Sequence, residues 1–115
     1  MNITDMQNEV DQWITQFEEE YWHPLVLLAR LTEEVGELAR EINHRFGQKP
    51  KKSDEKEKDL ALEIADIIFV LLCLANSQGI NMEKAFQATM EKYRLRDGNR
   101  WTLKETKKEQ AGDND

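Results

Sequence analysis

A chain of 115 residues, 39% hydrophobic and 34% charged, suits one domain with a modest core. Its net charge of −7 argues against a nucleic-acid polymer or an anionic membrane as partner, because both demand a basic face. A small phosphorylated ligand stays open, since a bound cation can bridge two anions. The one cysteine, Cys73, excludes a disulfide within the chain and reads as a buried small hydrophobe.

The N-terminus shows no basic region followed by an apolar stretch, so no secretion signal is expected. The longest unbroken apolar run, Ile67 to Ala75, falls short of the roughly 20 residues that a bilayer requires. A cytoplasmic location is the resulting expectation.

The first helix is expected to open at Thr4, with Gln7 completing a capping box. Met6, Val10, Trp13, Ile14 and Phe17 recur at helical spacing as its apolar stripe. Glu18, Glu19 and Glu20 read as a solvated run without a role. The pattern breaks at Tyr21-Trp22-His23-Pro24. A residue before proline is biased away from helix, and proline suits a first helical turn. His23 is therefore read as the cap and Pro24 as the start of the second helix. Leu25, Leu27, Leu28, Leu31, Val35, Leu38, Ala39, Ile42 and Phe46 follow, with Gly47 as the stop.

Gln48 to Lys58 is polar, lysine-rich and contains Pro50, so it reads as a connection. Ser53 is the expected cap of a third helix from about Asp54 to Gln78. Between Leu60 and Ala75 only Glu63 and Asp66 interrupt the apolar residues. A helix apolar on nearly all sides is buried on nearly all sides, which in a chain of this size points to self-association. Asn81 is placed to cap a fourth helix with Met82, Ala85, Phe86, Thr89, Met90 and Tyr93 on its inner stripe. Residues 104–115 are charged and aperiodic and read as a frayed tail, leaving 1–103 as the folded domain. With no strand alternation and no repeat, the expected fold class is all-α, a bundle of four helices.

Residues three and four apart on a helix share a face. Glu34 and Glu37 therefore point the same way, as do Glu63 and Asp66, and Glu33 flanks the first pair. If the two helices pack, four or five carboxylates meet. Two like charges about 4 Å apart repel by roughly 4 kcal/mol at an effective dielectric of about 20, so something must compensate. A hard cation, Mg2+ or Mn2+, accepts an all-oxygen site. Ion pairs to Arg30, Arg40 or Lys58 would also serve, and spacing alone does not choose between the two. Other metals fit less well. A di-iron bundle needs two Glu-x-x-His pairs, and Glu41 with His44 makes one. His23, His44 and Cys73 are too few and too scattered for zinc. The ordinary reading of His44 is a cation near a helix C-terminus.

Glu33-Glu34-x-x-Glu37, then 25 intervening residues, then Glu63-x-x-Asp66, resembles the motif of the all-α nucleoside triphosphate pyrophosphohydrolases. The resemblance is to the small single-domain MazG-like members in particular and runs from about residue 5 to residue 101. Val35-Gly36-Glu37-Leu38 and Ala65-Asp66-Ile67 are similar to the family's usual surroundings, and His23-x-Leu25 to the lead-in of its dCTP-hydrolysing branch. This resemblance implies Mg2+-dependent cleavage of a nucleoside triphosphate to monophosphate and pyrophosphate, for nucleotide-pool cleansing or control.

Residue by residue, it implies Glu34, Glu37, Glu63 and Asp66 as metal ligands. Glu33 would orient the attacking water or serve a second metal. A basic, phosphate-contacting segment falls on Lys92, Arg96 and, further out, Arg100; such charges also suit a helix C-terminus without any ligand. Base stacking is expected of Trp22 and His23 at the break before the second helix. Trp13 and Phe17 read at least as well as core, and Asn99 and Trp101 are further candidates for base or ribose. Related pockets can be shared across subunits, which implies a homodimer or homotetramer. The rival readings are a non-catalytic helical interaction module with ion-paired carboxylates, and a nucleotide sensor that binds without turnover.

Overall fold

The computed structural model describes residues 1–47 and 59–104. All four expected helices are present: α1 (Ile3–Ile14), α2 (Pro24–Phe46), α3 (Leu60–Ser77) and α4 (Met82–Asp97). No strand occurs among the described residues. The Ser53 cap, Lys58 as an ion-pair partner, the connection 48–58 and the tail beyond residue 104 lie outside the described residues. The chain divides into two units, Met1–Met82 and Glu83–Asp115.

The helix ends follow from local chemistry. Asn2 caps α1: its side chain accepts the Asp5 N–H at 2.8 Å, while Asp5 accepts the Asn2 N–H at 3.0 Å. This corrects the expected Thr4 and Gln7 box. Asparagine caps at least as well as threonine, and the Asp5 carboxylate suits the positive end of the helix. Helix α2 starts as expected, with His23 Nδ1 accepting the Leu25 N–H at 3.1 Å, Pro24 in the first turn and Gly47 at the close. Asp59 caps the described α3, accepting the Ala61 N–H at 2.8 Å. After α3, Gly79 takes a left-handed φ of 66°, which favours glycine.

Helices α1 and α2 both pack on α3. Val10, Leu27, Val70, Leu72 and Cys73 form the buried core between them. Cys73 is buried as its surroundings in sequence foretold, and burial pushes its thiol pKa up, away from the reactive thiolate. By length and composition α3 would be able to cross a membrane, with a mean hydropathy of 2.0. Glu63 is buried on it, and α1 and α2 pack against it. Burial is nevertheless one-sided. Leu62, Ile64, Ile68, Phe69 and Leu71 are all more than one-third exposed in the single chain, because two neighbours cover only part of a helix circumference. The expectation of burial on nearly all sides is not met within one copy.

A polar network ties the start of the chain to the end of α3. Asn76 Nδ2 donates to the Gln7 carbonyl at 2.9 Å and to the Tyr21 hydroxyl at 3.0 Å. Gln7 Nε2 donates to Asn76 Oδ1 and to the Ile80 carbonyl, both at 2.8 Å, and Gln7 Oε1 accepts the Met82 N–H at 3.0 Å. Tyr21 donates to Asp11 Oδ1 at 2.6 Å. Partial burial and this bond push the phenol up to about 12, so it remains a donor. The connection reaches Tyr21 through Glu20, whose φ of 50° costs about 1 kcal/mol for a residue with a Cβ. Asn76→Ala removes both donors and the acceptor at the centre of this network. It is expected to lower unfolding free energy by roughly 2 kcal/mol in urea melts; an unchanged midpoint would show that the network contributes nothing.

Candidate functional site

Three carboxylates converge where α2 meets α3. Glu34, Glu37 and Glu63 each offer a ligand oxygen, and these oxygens all lie within 4.8 Å of one another. The helical spacing explains the first two, and the α2–α3 packing brings in the third. Glu34 is only 3% exposed and Glu63 6%, whereas Glu37 faces outward. Asp66, one turn after Glu63, is exposed on α3 and lines a cavity together with Glu34.

Arg30, one turn before Glu34, donates from Nη2 to Glu34 Oε1 at 2.9 Å. Its Nη1 lies 3.7 Å from Glu33 Oε2, on an exposed side chain. Ion pairing thus compensates Glu34 only in part. Glu34 Oε2 is buried with no hydrogen-bond partner. Burial pushes the Glu34 carboxyl up; Arg30 pulls it down, and Glu37, Asp66 and Glu63 push it up again, with a net rise. An unsatisfied oxygen among clustered, oxygen-only donors fits a hard divalent cation.

The cavity beside the cluster holds about 560 Å3. Its walls join Glu34, Asp66 and Arg30 to the aromatic rings of Phe17, Tyr21, Trp22 and Phe69. Trp22 therefore stands in the same cavity as the carboxylates. His23 is committed to capping α2 through Nδ1, leaving Nε2 for other contacts. Glu18, Glu19 and Glu20 also line this cavity, although as a charge run they carried no signal of a site. Phe69 was hidden among the apolar residues of α3. Glu41, another buried acid, accepts from Arg45 Nε at 3.2 Å. Its position seven residues after Glu34, on the same helix face, was the available clue.

The expected basic residues belong to the second unit. Lys92 Nζ and the Arg96 guanidinium both lie 5.1 Å from the centre of the Tyr93 ring, and Arg100 lies 5.3 Å from that of Trp101. Arg96 is also bound in a fork to buried Asp97, with Nη2 at 2.8 Å, and Arg100 approaches the same carboxylate at 3.5 Å. Asp97 was missed in the sequence; an acid set inside Arg94-Leu95-Arg96-Asp97 was the sign.

Residues 23–101 match the family model for the MazG nucleotide pyrophosphohydrolase domain. The chain is similar to YpjD of Bacillus subtilis (strain 168), with 56% identity over 103 residues, covering 90% of this chain and 93% of that one. It is more distantly similar to YvdC of the same organism, with 28% identity over 94 residues, covering 73% and 89%. The crystal structure of Bacillus subtilis YpjD superposes with a TM-score of 0.74 at 54% identity, covering 81% of this chain and 95% of that one. The Bacillus-conserved MazG protein, a nucleotide pyrophosphohydrolase, superposes with a TM-score of 0.72 at 44% identity, covering 84% and 94%.

The raised Glu34 pKa has a consequence for stability. A carboxyl with a folded pKa above its unfolded value favours folding fully below the unfolded value, and that contribution is lost as pH rises through the folded one. In chelator, Glu34→Gln is therefore expected to melt a few degrees above wild type near neutral pH. The gain should shrink toward zero as pH falls below the ordinary glutamate range. Melting curves across pH check this, and a lower melting temperature at neutral pH would contradict it.

Proposed function

The chain belongs to the MazG nucleotide pyrophosphohydrolase family, enzymes that hydrolyse nucleotide pyrophosphate bonds, and from that premise we propose that it is a Mg2+-dependent hydrolase of nucleoside triphosphates. The products are a nucleoside monophosphate and pyrophosphate, and the biological use is cleansing or control of the nucleotide pool. The observation that carries this reading is the cluster of Glu34, Glu37 and Glu63, with the buried Glu34 Oε2 lacking a hydrogen-bond partner.

Glu34, Glu37, Glu63 and Asp66 would hold Mg2+, with Mn2+ as a substitute. When bound, the ion offsets the repulsion between carboxylates and phosphates, acidifies a water and stabilises charge on the phosphoryl group in flight. Glu33 serves to orient the attacking water as it meets the phosphorus nearest the sugar. Cleavage breaks the bond between that phosphorus and the bridging oxygen, so pyrophosphate leaves. Trp22 stacks on the base, with Nε2 of His23 as a further contact. Lys92, Arg96 and Arg100 contact phosphates; of these, Lys92 is the least committed to a carboxylate, since Arg96 and Arg100 already engage Asp97.

The acidic character of the chain supports free nucleotides as substrate, in place of a nucleic-acid polymer or a membrane, and a cytoplasmic setting follows. The half-exposed apolar residues of α3 support a homodimer or homotetramer that covers them. Residues 1–103 carry the activity in this reading, with the charged tail dispensable.

The primary test is pyrophosphate release from a panel of ribo- and deoxynucleoside triphosphates, with Mg2+ and with chelator. Mg2+-dependent release from one or a few members is expected, and Asp66→Asn should lower it at least a hundredfold with no fall in melting temperature. Full activity in that variant would remove Asp66 from the site. No release from any member by the folded wild type would favour the sensor reading. Lys92→Ala is expected to weaken triphosphate binding several-fold more than nucleoside binding in calorimetric titrations, and equal weakening would count against a phosphate role.

A further inference from the structure

The cavity that joins the aromatic rings to the carboxylates is hostile to its proposed ligand. Glu18, Glu19, Glu20, Glu34 and Asp66 line it, and Arg30 is the one cation among its described walls. An anionic ligand that spans the cavity has a single positive side chain to meet there.

Arg30 is built to be shared. Its side chain is 51% exposed, while that of Glu34 beneath it is 4% exposed. One Nη2 hydrogen bond goes to Glu34 Oε1, and the longer approach of Nη1 to Glu33 leaves that contact weak. A guanidinium carries five N–H donors in a rigid planar fork, so most of them remain for a second anion. The position matters as much as the donors. The aromatic rings that line the cavity suit a nucleoside, and Glu34 and Asp66 in the same lining suit metal-held phosphates. Arg30 touches Glu34 and lines the same cavity as the rings, so one guanidinium borders both the carboxylates and the aromatic walls.

We propose that Arg30 binds the phosphate adjoining the nucleoside, the group common to triphosphate substrate and monophosphate product, while its Nη2 bond steadies Glu34 in the cluster. This rests on the pyrophosphohydrolase reading above and adds a specificity residue to it. Arg30 makes the site prefer a 5′-phosphorylated ligand over the bare nucleoside, at a place that the metal-holding carboxylates alone would make repulsive. A fork that reaches phosphate and carboxylate together also explains why a single-point ammonium would not serve as well.

The test is equilibrium binding, which separates this role from turnover. The pyrophosphate-release panel first names the base that wild type accepts. Calorimetry with Mg2+ then measures the nucleoside of that base and its 5′-monophosphate on wild type, Arg30→Gln and Arg30→Lys. Glutamine keeps a donor for Glu34 but loses the charge. Expected is a loss of about tenfold or more in monophosphate affinity for Arg30→Gln, with nucleoside affinity held within about twofold. Arg30→Lys should lose about threefold for the monophosphate alone, and it decides the matter if the glutamine variant fails to fold. Unchanged monophosphate affinity, or an equal loss for both ligands, would overturn the assignment of Arg30 while leaving the hydrolase reading intact. A folded wild type that releases no pyrophosphate overturns both.

Discussion

Glu34 is a carboxylate buried among carboxylates, and the rest of the site depends on how the fold tolerates it. Its burial comes from the same α2–α3 contact that buries Leu27 and Val70, so the apolar packing that stabilises the first unit also forces the acids together. Burying a charge is costly unless it is paired. Arg30 relieves part of that cost through Oε1 and leaves Oε2 without a partner. On the proposed reading a divalent cation would stabilise this arrangement, and the carboxylates that repel one another would be the ones that hold it. On that reading, affinity for an ion and repulsion between the carboxylates would be two views of one charge distribution.

Helix α3 carries the second half of this compromise. It must be apolar enough to serve as the packing surface for α1 and α2, yet it must present Glu63 and Asp66 one turn apart. The solution is a helix with acids near its N-terminal end, where the helix dipole favours negative charge, and a long apolar remainder. Phe69 and Val70 then continue the wall of the cavity that begins at Asp66, so the rings that would meet a base and the acids that would hold a metal share one helix. Across from them, the α1–α2 connection supplies Phe17, Tyr21 and Trp22, and the bond from Asn76 to Tyr21 fixes that connection to the far end of α3. The cavity is bounded by α3 directly on one side and tethered to it on the other.

Much of this was legible along the chain, because helix faces and the carboxylate spacing are local. The run of four helices, the His23-Pro24 start of α2, the Gly47 stop and the Glu34/Glu37 and Glu63/Asp66 pairs all follow from periodicity and cap chemistry. What was misread, or not seen at all, depended on competition or distance. Thr4 and Gln7 spell a capping box as well as Asn2 and Asp5 do, and only the long-range use of Gln7 by Asn76 and Met82 separates them. Three cations were candidates for the acids; only folding shows that Arg30 pairs with Glu34. Glu18 to Glu20 looked like ordinary solvated charge, because nothing local says that the connection turns back over a cavity. Asp97 drew no notice within a basic run, whereas Arg96 and Arg100 both close on it.

The order of elements along the chain sets when the core becomes possible. Helices α1 and α2 come first, but each buries its stripe mainly against α3, which begins only at Leu60. A nascent chain emerging from the ribosome N-terminus first would therefore carry two amphipathic helices with no surface to close on. Val10 and Leu27 would stay in water until α3 had been released. The Asn76 bonds to Gln7 and Tyr21 come later still, near the end of that helix. Folding of the first unit is in this sense a single late event, and the acids are brought together in the same step that completes the core.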